Sequence, residues 1–217
     1  MTSPSTKSDA TLDPMLPNVR MVARRDFLVA GAAVAAGACM TAPHALAETA
    51  KPPVRPTASV TDQDREYMHL ALEQMRRAGV VDKTGGPFGA VVVLDGKILA
   101  TAGNSVMRDH DPSAHAEVNA MREACRKMGA PHIDNAVLYS SCEPCPMCYS
   151  TAYWARVGKI FYAASWTDYA DLFDDSNIAN DMRFPYEQRQ VALQQIMRPD
   201  AQKVWEEFRK LPDPARY

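Results

Sequence analysis

"SSCEPCPMC", Ser140–Cys148, joins two kinds of sequence. The apolar run "AVLYSSC" before it reads as a buried strand, and "PMCYSTAYWARV" after it reads as a short helix with Pro146 at its start, where proline is tolerated. The stretch is therefore a strand–turn–helix junction carrying Cys142, Cys145 and Cys148. Upstream, "AHAEVNAMREACRKMGA" sets Val118, Met121, Cys125 and Met128 on one face of a helix, with His115 and Glu117 in its first turn. Further back, "GGPFGAVVVLDGKILATAGN" reads as two strands joined by a hairpin at Asp95-Gly96. Ahead of it, Thr61 suits an N-cap, Asp62 and Asp64 suit the first turn, and Met68, Leu72 and Met75 mark a helix ending near Ala78-Gly79. Downstream come a strand, "KIFYAAS", a weaker strand candidate, "VALQQIM", and a last helix, "DAQKVWEEFRKL". Alternating strands and helices predict an α/β fold: a three-layer α/β/α sandwich around a mixed sheet of roughly five strands.

This order brings His115 and Glu117, at one helix start, near Cys145 and Cys148, at another. Both follow loops at strand ends, where open α/β sheets hold ligands. One imidazole and two thiolates suit tetrahedral zinc, and three protein ligands leave a fourth position open for chemistry. A helix N-terminus favours thiolate over thiol. Glu117 is the discriminating residue, because a structural metal site has no use for a carboxylate there. Hydrolysis at an amidine-like ring carbon needs a proton taken from water, delivered to a ring nitrogen and supplied to the departing amine, and one carboxylate can carry all three. Two other readings of the cysteines stand beside this one. Cys145 and Cys148 suit a redox pair in an oxidising compartment, and Cys142 could close the site as a fourth ligand or be a small buried residue.

His-x-Glu followed by Pro-Cys-x-x-Cys is the zinc deaminase signature, and "HAEVNAMREA" with "EPCPMC" fits it throughout. From "GGPFGAVVV" to "FDDS" the chain resembles the bacterial guanine deaminases of the cytidine-deaminase fold, with a weaker match running to Tyr217. The resemblance implies that His115, Cys145 and Cys148 bind Zn2+ and that Glu117 is the general acid/base. It implies that Asn104 hydrogen-bonds the purine, Phe88 stacks on it, and the backbone N–H groups of Ala116 and Cys145 lie near the reacting group. Trp154 would line the pocket, Asp175 would assist at the amino group, and Tyr217 would close the site. It further implies a homodimer with a swapped C-terminal segment, so that the closing tyrosine comes from the partner. Around "SWTDYADLFDDS" the chain differs from the family pattern by one residue, which leaves Asp174 and Asp175 to be told apart. The implied reaction is guanine to xanthine plus ammonia. Sister branches that act on guanosine, cytosine, a triazine or tRNA adenosine share the zinc motif.

The 217 residues, 47% apolar with a formal net charge of −2, suit one domain with a sizeable core. Residues 1–47 hold one more basic than acidic residue, so the remainder is slightly more acidic still. That balance argues against a nucleic-acid partner, and the resemblance implies a small-molecule nucleobase substrate. Arg24-Arg25, a charge-free Ala- and Gly-rich stretch and "Ala45-Leu46-Ala47" resemble a twin-arginine export signal, with cleavage after Ala47. The expected organisation is a signal segment over 1–47, a Pro-rich linker over 48–60 and a deaminase domain over 61–217. The expected location is the periplasm, with membrane contact only during export.

Overall fold

The computed structural model describes residues 59–215. The export segment, most of the linker and Tyr217 lie outside the described residues. Helix α1, Asp62–Arg76, starts at Thr61 with a capping box. Thr61 Oγ1 accepts from the Asp64 N–H (3.1 Å), and Asp64 Oδ2 accepts from the Thr61 N–H (2.8 Å), so two donors that a helix start leaves over are satisfied at once. The helix does not stop at Gly79 as its sequence suggests. A wider turn, Arg77–Val81, carries it on until the Asp82 N–H meets the Arg77 carbonyl at 2.8 Å.

Strands β1 (Gly89–Leu94) and β2 (Lys97–Gly103) form the expected antiparallel hairpin. Asp95 and Gly96 both take positive φ (48° and 73°), the twist that matches a two-residue turn to its strands. The short helix α2 (Val106–Asp109) leads to α3 (Ala116–Met128), then β3 (Val137–Cys142), α4 (Pro146–Trp154) and β4 (Lys159–Ala164). The sheet order is β2-β1-β3-β4, with β1 antiparallel to both neighbours and β3 parallel to β4. Alternation along β1 divides the core. Val91 and Val93 pack with Tyr67 and Ala71 of α1 on one face. Ala90 and Val92 pack with Ala116, Ala120 and Met121 of α3 and Ala152 of α4 on the other. The result is the three-layer mixed α/β/α sandwich.

Among the described residues the sheet has four strands, not five. "VALQQIM", Val191–Met197, pairs with no strand and leaves Val191 and Ile196 76% and 73% exposed. A strand exists only where a ladder receives its N–H and C=O groups, and among the described residues that stretch meets none. Helix α5 (Asp175–Asp181) precedes it, and α6 (Arg198–Arg209) follows. Among the described residues no helix is long and apolar enough to cross a membrane.

Candidate active site

His115 is the N-cap of α3 and Cys145 the N-cap of α4, each with extended backbone, and neither caps its helix with its side chain. Both side chains turn toward each other instead. His115 Nδ1 lies 3.7 Å from Cys145 Sγ and 3.5 Å from Cys148 Sγ, one turn into α4. All three donor atoms fall within 4.8 Å of one another. A tetrahedral zinc ion with Zn–S of ~2.3 Å and Zn–N of ~2.0–2.1 Å sets nitrogen and sulfur about 3.6 Å apart, so this donor set fits that ion. The positive ends of two helices converge on the same point, which favours the thiolates such an ion needs. In the coupled cysteine pair the charge settles on Cys145. The hydrogen bond from Cys148 outweighs burial and, with His115, pulls it down to about 4, while that bond and burial push Cys148 far up. The same Cys145 bond raises His115.

Glu117 sits in the first turn of α3 and is 4% exposed. Burial raises its pKa, and Ser140 Oγ donates to its Oε1 at 3.1 Å. It lines a cavity of about 250 Å3 together with Phe88, Asn104, His115, Cys145 and Asp175. Asn104 is buried, and its Oδ1 accepts from the Val106 N–H (3.1 Å). The group it offers the cavity is therefore its amide N–H2, a donor. Gly85 makes this possible, since a Cβ there would overlap Asn104 Oδ1. Ala116 is the first residue of α3, its methyl in the core and its N–H among those a helix start leaves without intrahelical partners. Asp174 and Asp175 separate cleanly. Asp174 caps α5 by accepting from the Asn177 N–H (3.2 Å), whereas Asp175 lines the cavity with its pKa raised by burial.

Trp154 is a correction. It ends α4, 61% exposed, and borders surface hollows beside Asn135 and Arg156 rather than the cavity, because the helix carries it away from its own N-terminus. Cys142 is buried at the end of β3 and stands outside the donor cluster, and Cys125, Cys142, Cys145 and Cys148 are all free thiols. Residues that the motifs did not single out also build the site. Ser140 shares the α3 face of β3 with Leu138, and a hydroxyl at an inward strand position was the available signal. Glu143, Met107 and Phe173 line the wall. A larger cavity, about 490 Å3, lies beside β2, where Arg77, Arg108 and Arg122 meet Asp82, Asp109 and Asp111. It contains none of His115, Cys145 and Cys148.

Comparison with known proteins agrees with this geometry. A sequence profile of the cytidine and deoxycytidylate deaminase zinc-binding region matches residues 61–164. The chain is 44% identical over 140 residues to the guanine deaminase of Bacillus subtilis, covering 64% of this chain and 90% of that protein. It is 41% identical over 98 residues to the tRNA-specific adenosine deaminase of Agrobacterium fabrum, covering 45% of this chain and 63% of that protein. The X-ray structure of guanine deaminase from Bacillus subtilis superposes with a TM-score of 0.68 at 40% identity, over 70% of this chain and 98% of that one.

Proposed function

The chain belongs to the zinc-dependent deaminase family of the Bacillus subtilis guanine deaminase, and from that premise we propose that it hydrolyses guanine to xanthine and ammonia. The observation that carries this reading is the buried carboxylate of Glu117 beside the His115–Cys145–Cys148 donor set, in a cavity that also holds Asn104 and Phe88. Those three donors would hold the zinc, which supplies a water of pKa near 7 when bound. Glu117 takes one proton from the attacking water as the water oxygen bonds to the amine-bearing ring carbon, and delivers that proton to the adjacent ring nitrogen. The remaining hydroxyl proton then passes to the exocyclic amine, the C–N bond breaks as the carbonyl forms, and the amine leaves as ammonia. Asp175, across the cavity, holds and moves the proton at that amine. The Asn104 amide donates to an acceptor on the purine edge, and Phe88 gives the ring a flat face. The match to guanine deaminase spans 140 residues against 98 for the tRNA enzyme, which favours a free base over tRNA adenosine, as does the acidic charge of the chain.

Ammonia release from guanine, guanosine, adenine, cytosine and ammeline by the zinc-loaded protein tests the assignment, with guanine turned over fastest. A Glu117→Gln variant keeps about one zinc per chain and loses turnover by roughly 10²–10⁴; turnover at the wild-type level would remove the mechanism.

Two further parts of the reading concern the whole protein. The first is export by the twin-arginine route, with a mature chain starting at Glu48 in the periplasm. Supporting it are the Arg24-Arg25 segment and the free thiols, which loading before export would protect from oxidation. Mass spectrometry of the mature N-terminus tests it. The second is a homodimer in which the C-terminal segment of one chain covers the partner's site. Supporting it is the exposure of Val191, Ile196, Val204 and Trp205 in a segment that buries none of them. Light scattering in solution tests it.

A further inference from the structure

Asp175 has one side-chain donor among the described residues: Tyr169, whose hydroxyl lies 3.1 Å from Oδ2. Tyr169 follows a one-turn 3-10 helix, Trp166–Asp168, that is itself fastened to the site wall. Trp166 Nε1 donates to the Glu143 carbonyl (2.9 Å), and Ser165 with Asp168 forms a second capping box. The chain then turns back on itself, the Leu172 and Phe173 N–H groups both donating to the Tyr169 carbonyl (2.9 and 3.0 Å). The tyrosine ring meets Phe88 edge-on, centroids 5.6 Å apart at 77°, and Phe173 at 6.5 Å and 69°. Phe88 and Phe173 meet each other at 5.1 Å and 72°. One side chain thus touches both the ring platform and the carboxylate. Burial and the charge of Asp175 hold its hydroxyl well above the usual phenol range, so it keeps its proton and donates a hydrogen bond to the carboxylate.

We propose that Tyr169 is a positioning residue that fixes Asp175 and Phe88 relative to each other. Its hydroxyl aims the carboxylate at the exocyclic amine, and its ring keeps Phe88 from tipping out of the base plane. Tyr169 lies in the stretch "SWTDYADLFDDS" together with Asp175 and Phe173, so one short segment supplies the brace, the carboxylate and part of the cavity wall. The inference rests on the proposal that Asp175 works at the amino group.

An isolated tyrosine in an aromatic cluster is also explained by packing alone, and the two accounts differ in what the hydroxyl does. Four zinc-loaded proteins separate them: wild type, Tyr169→Phe, Asp175→Ala and the double variant. Tyr169→Phe keeps the ring and its contacts. It is expected to lower kcat for guanine roughly tenfold or more, the size expected for a lost hydrogen bond to a charged group. KM should stay within about twofold, and zinc content and Tm should match wild type. In the Asp175→Ala background the same change has no further effect, because the hydroxyl has lost its acceptor. Tyr169→Ala removes the ring as well and raises KM. Wild-type kcat in Tyr169→Phe overturns the brace, as does an equal loss in the Asp175→Ala background. Wild-type turnover in Asp175→Ala shows instead that the reading of Asp175 was wrong, and the brace falls with it.

Discussion

Ser140 shows how much one hydroxyl decides. Glu117 is a carboxylate in a buried position, and a carboxylate there needs a donor to stay in one rotamer. Ser140 Oγ is that donor. Ser140→Ala is expected to cost roughly 10–100-fold in kcat, the range for a hydrogen bond to a charged group of about 1.5–3 kcal/mol. Ser140→Thr, which keeps the hydroxyl, should restore most of it. Steady-state kinetics with zinc analysis checks both. At Gly85 the expectation is different. A methyl there displaces the Asn104 amide, so Gly85→Ala should raise KM for guanine by about tenfold, the size of one neutral hydrogen bond with its desolvation; an unchanged KM would mean that Asn104 does not touch the base. His115, Glu117, Cys145 and Cys148 were legible in the sequence because residue type and spacing within each short motif mark them; the fold then brings the two helix starts that carry them together. Tyr169 and Ser140 were not, since their roles depend on which way an irregular segment folds back and which face of a strand meets α3. The resemblance implied that Trp154 lines the pocket, whereas in this chain it stands at the far end of α4 and is not among the residues lining the cavity.

At the scale of elements, the start of α1 is the most explicit. Asp64 closes the capping box with Thr61 and also accepts from the Tyr139 hydroxyl at 2.6 Å, tying the helix to β3. Burial acts against its charge, but the bonds from Thr61 and Tyr139 prevail and lower its pKa. A lowered carboxylate contributes stability above its unfolded pKa, and that contribution is lost as pH falls through the folded value. Asp64→Asn should therefore lower Tm at pH 7, and the gap to wild type should close in acid below the ordinary carboxylate range. Thr61→Ala should cost about 1 kcal/mol; thermal melts across pH check both. The hairpin and the capped helix were readable because turn and cap residues act over a few positions. The end of α1 was not, because Gly79 packs against Pro87 and the helix runs on past the point where propensity would stop it. The missing fifth strand failed for a longer-range reason: "VALQQIM" has strand composition, but a strand is a relation between two segments.

For the whole molecule, the metal is part of the architecture. His115 and Cys145 begin the two helices on one face of the sheet, and α3 and α4 pack on each other through Val118, Cys145 and Cys148. Dialysis against a chelator should lower Tm, and one equivalent of zinc should restore it, since a ligand bound by the folded state alone stabilises it by mass action. A melt unchanged by chelation would remove zinc from the structural account. There is a kinetic side to this arrangement. Because each helix start carries a metal donor in place of a capping oxygen, exchange of the ion is expected to be coupled to motion of the two helices, read as the rate at which labelled zinc replaces bound zinc.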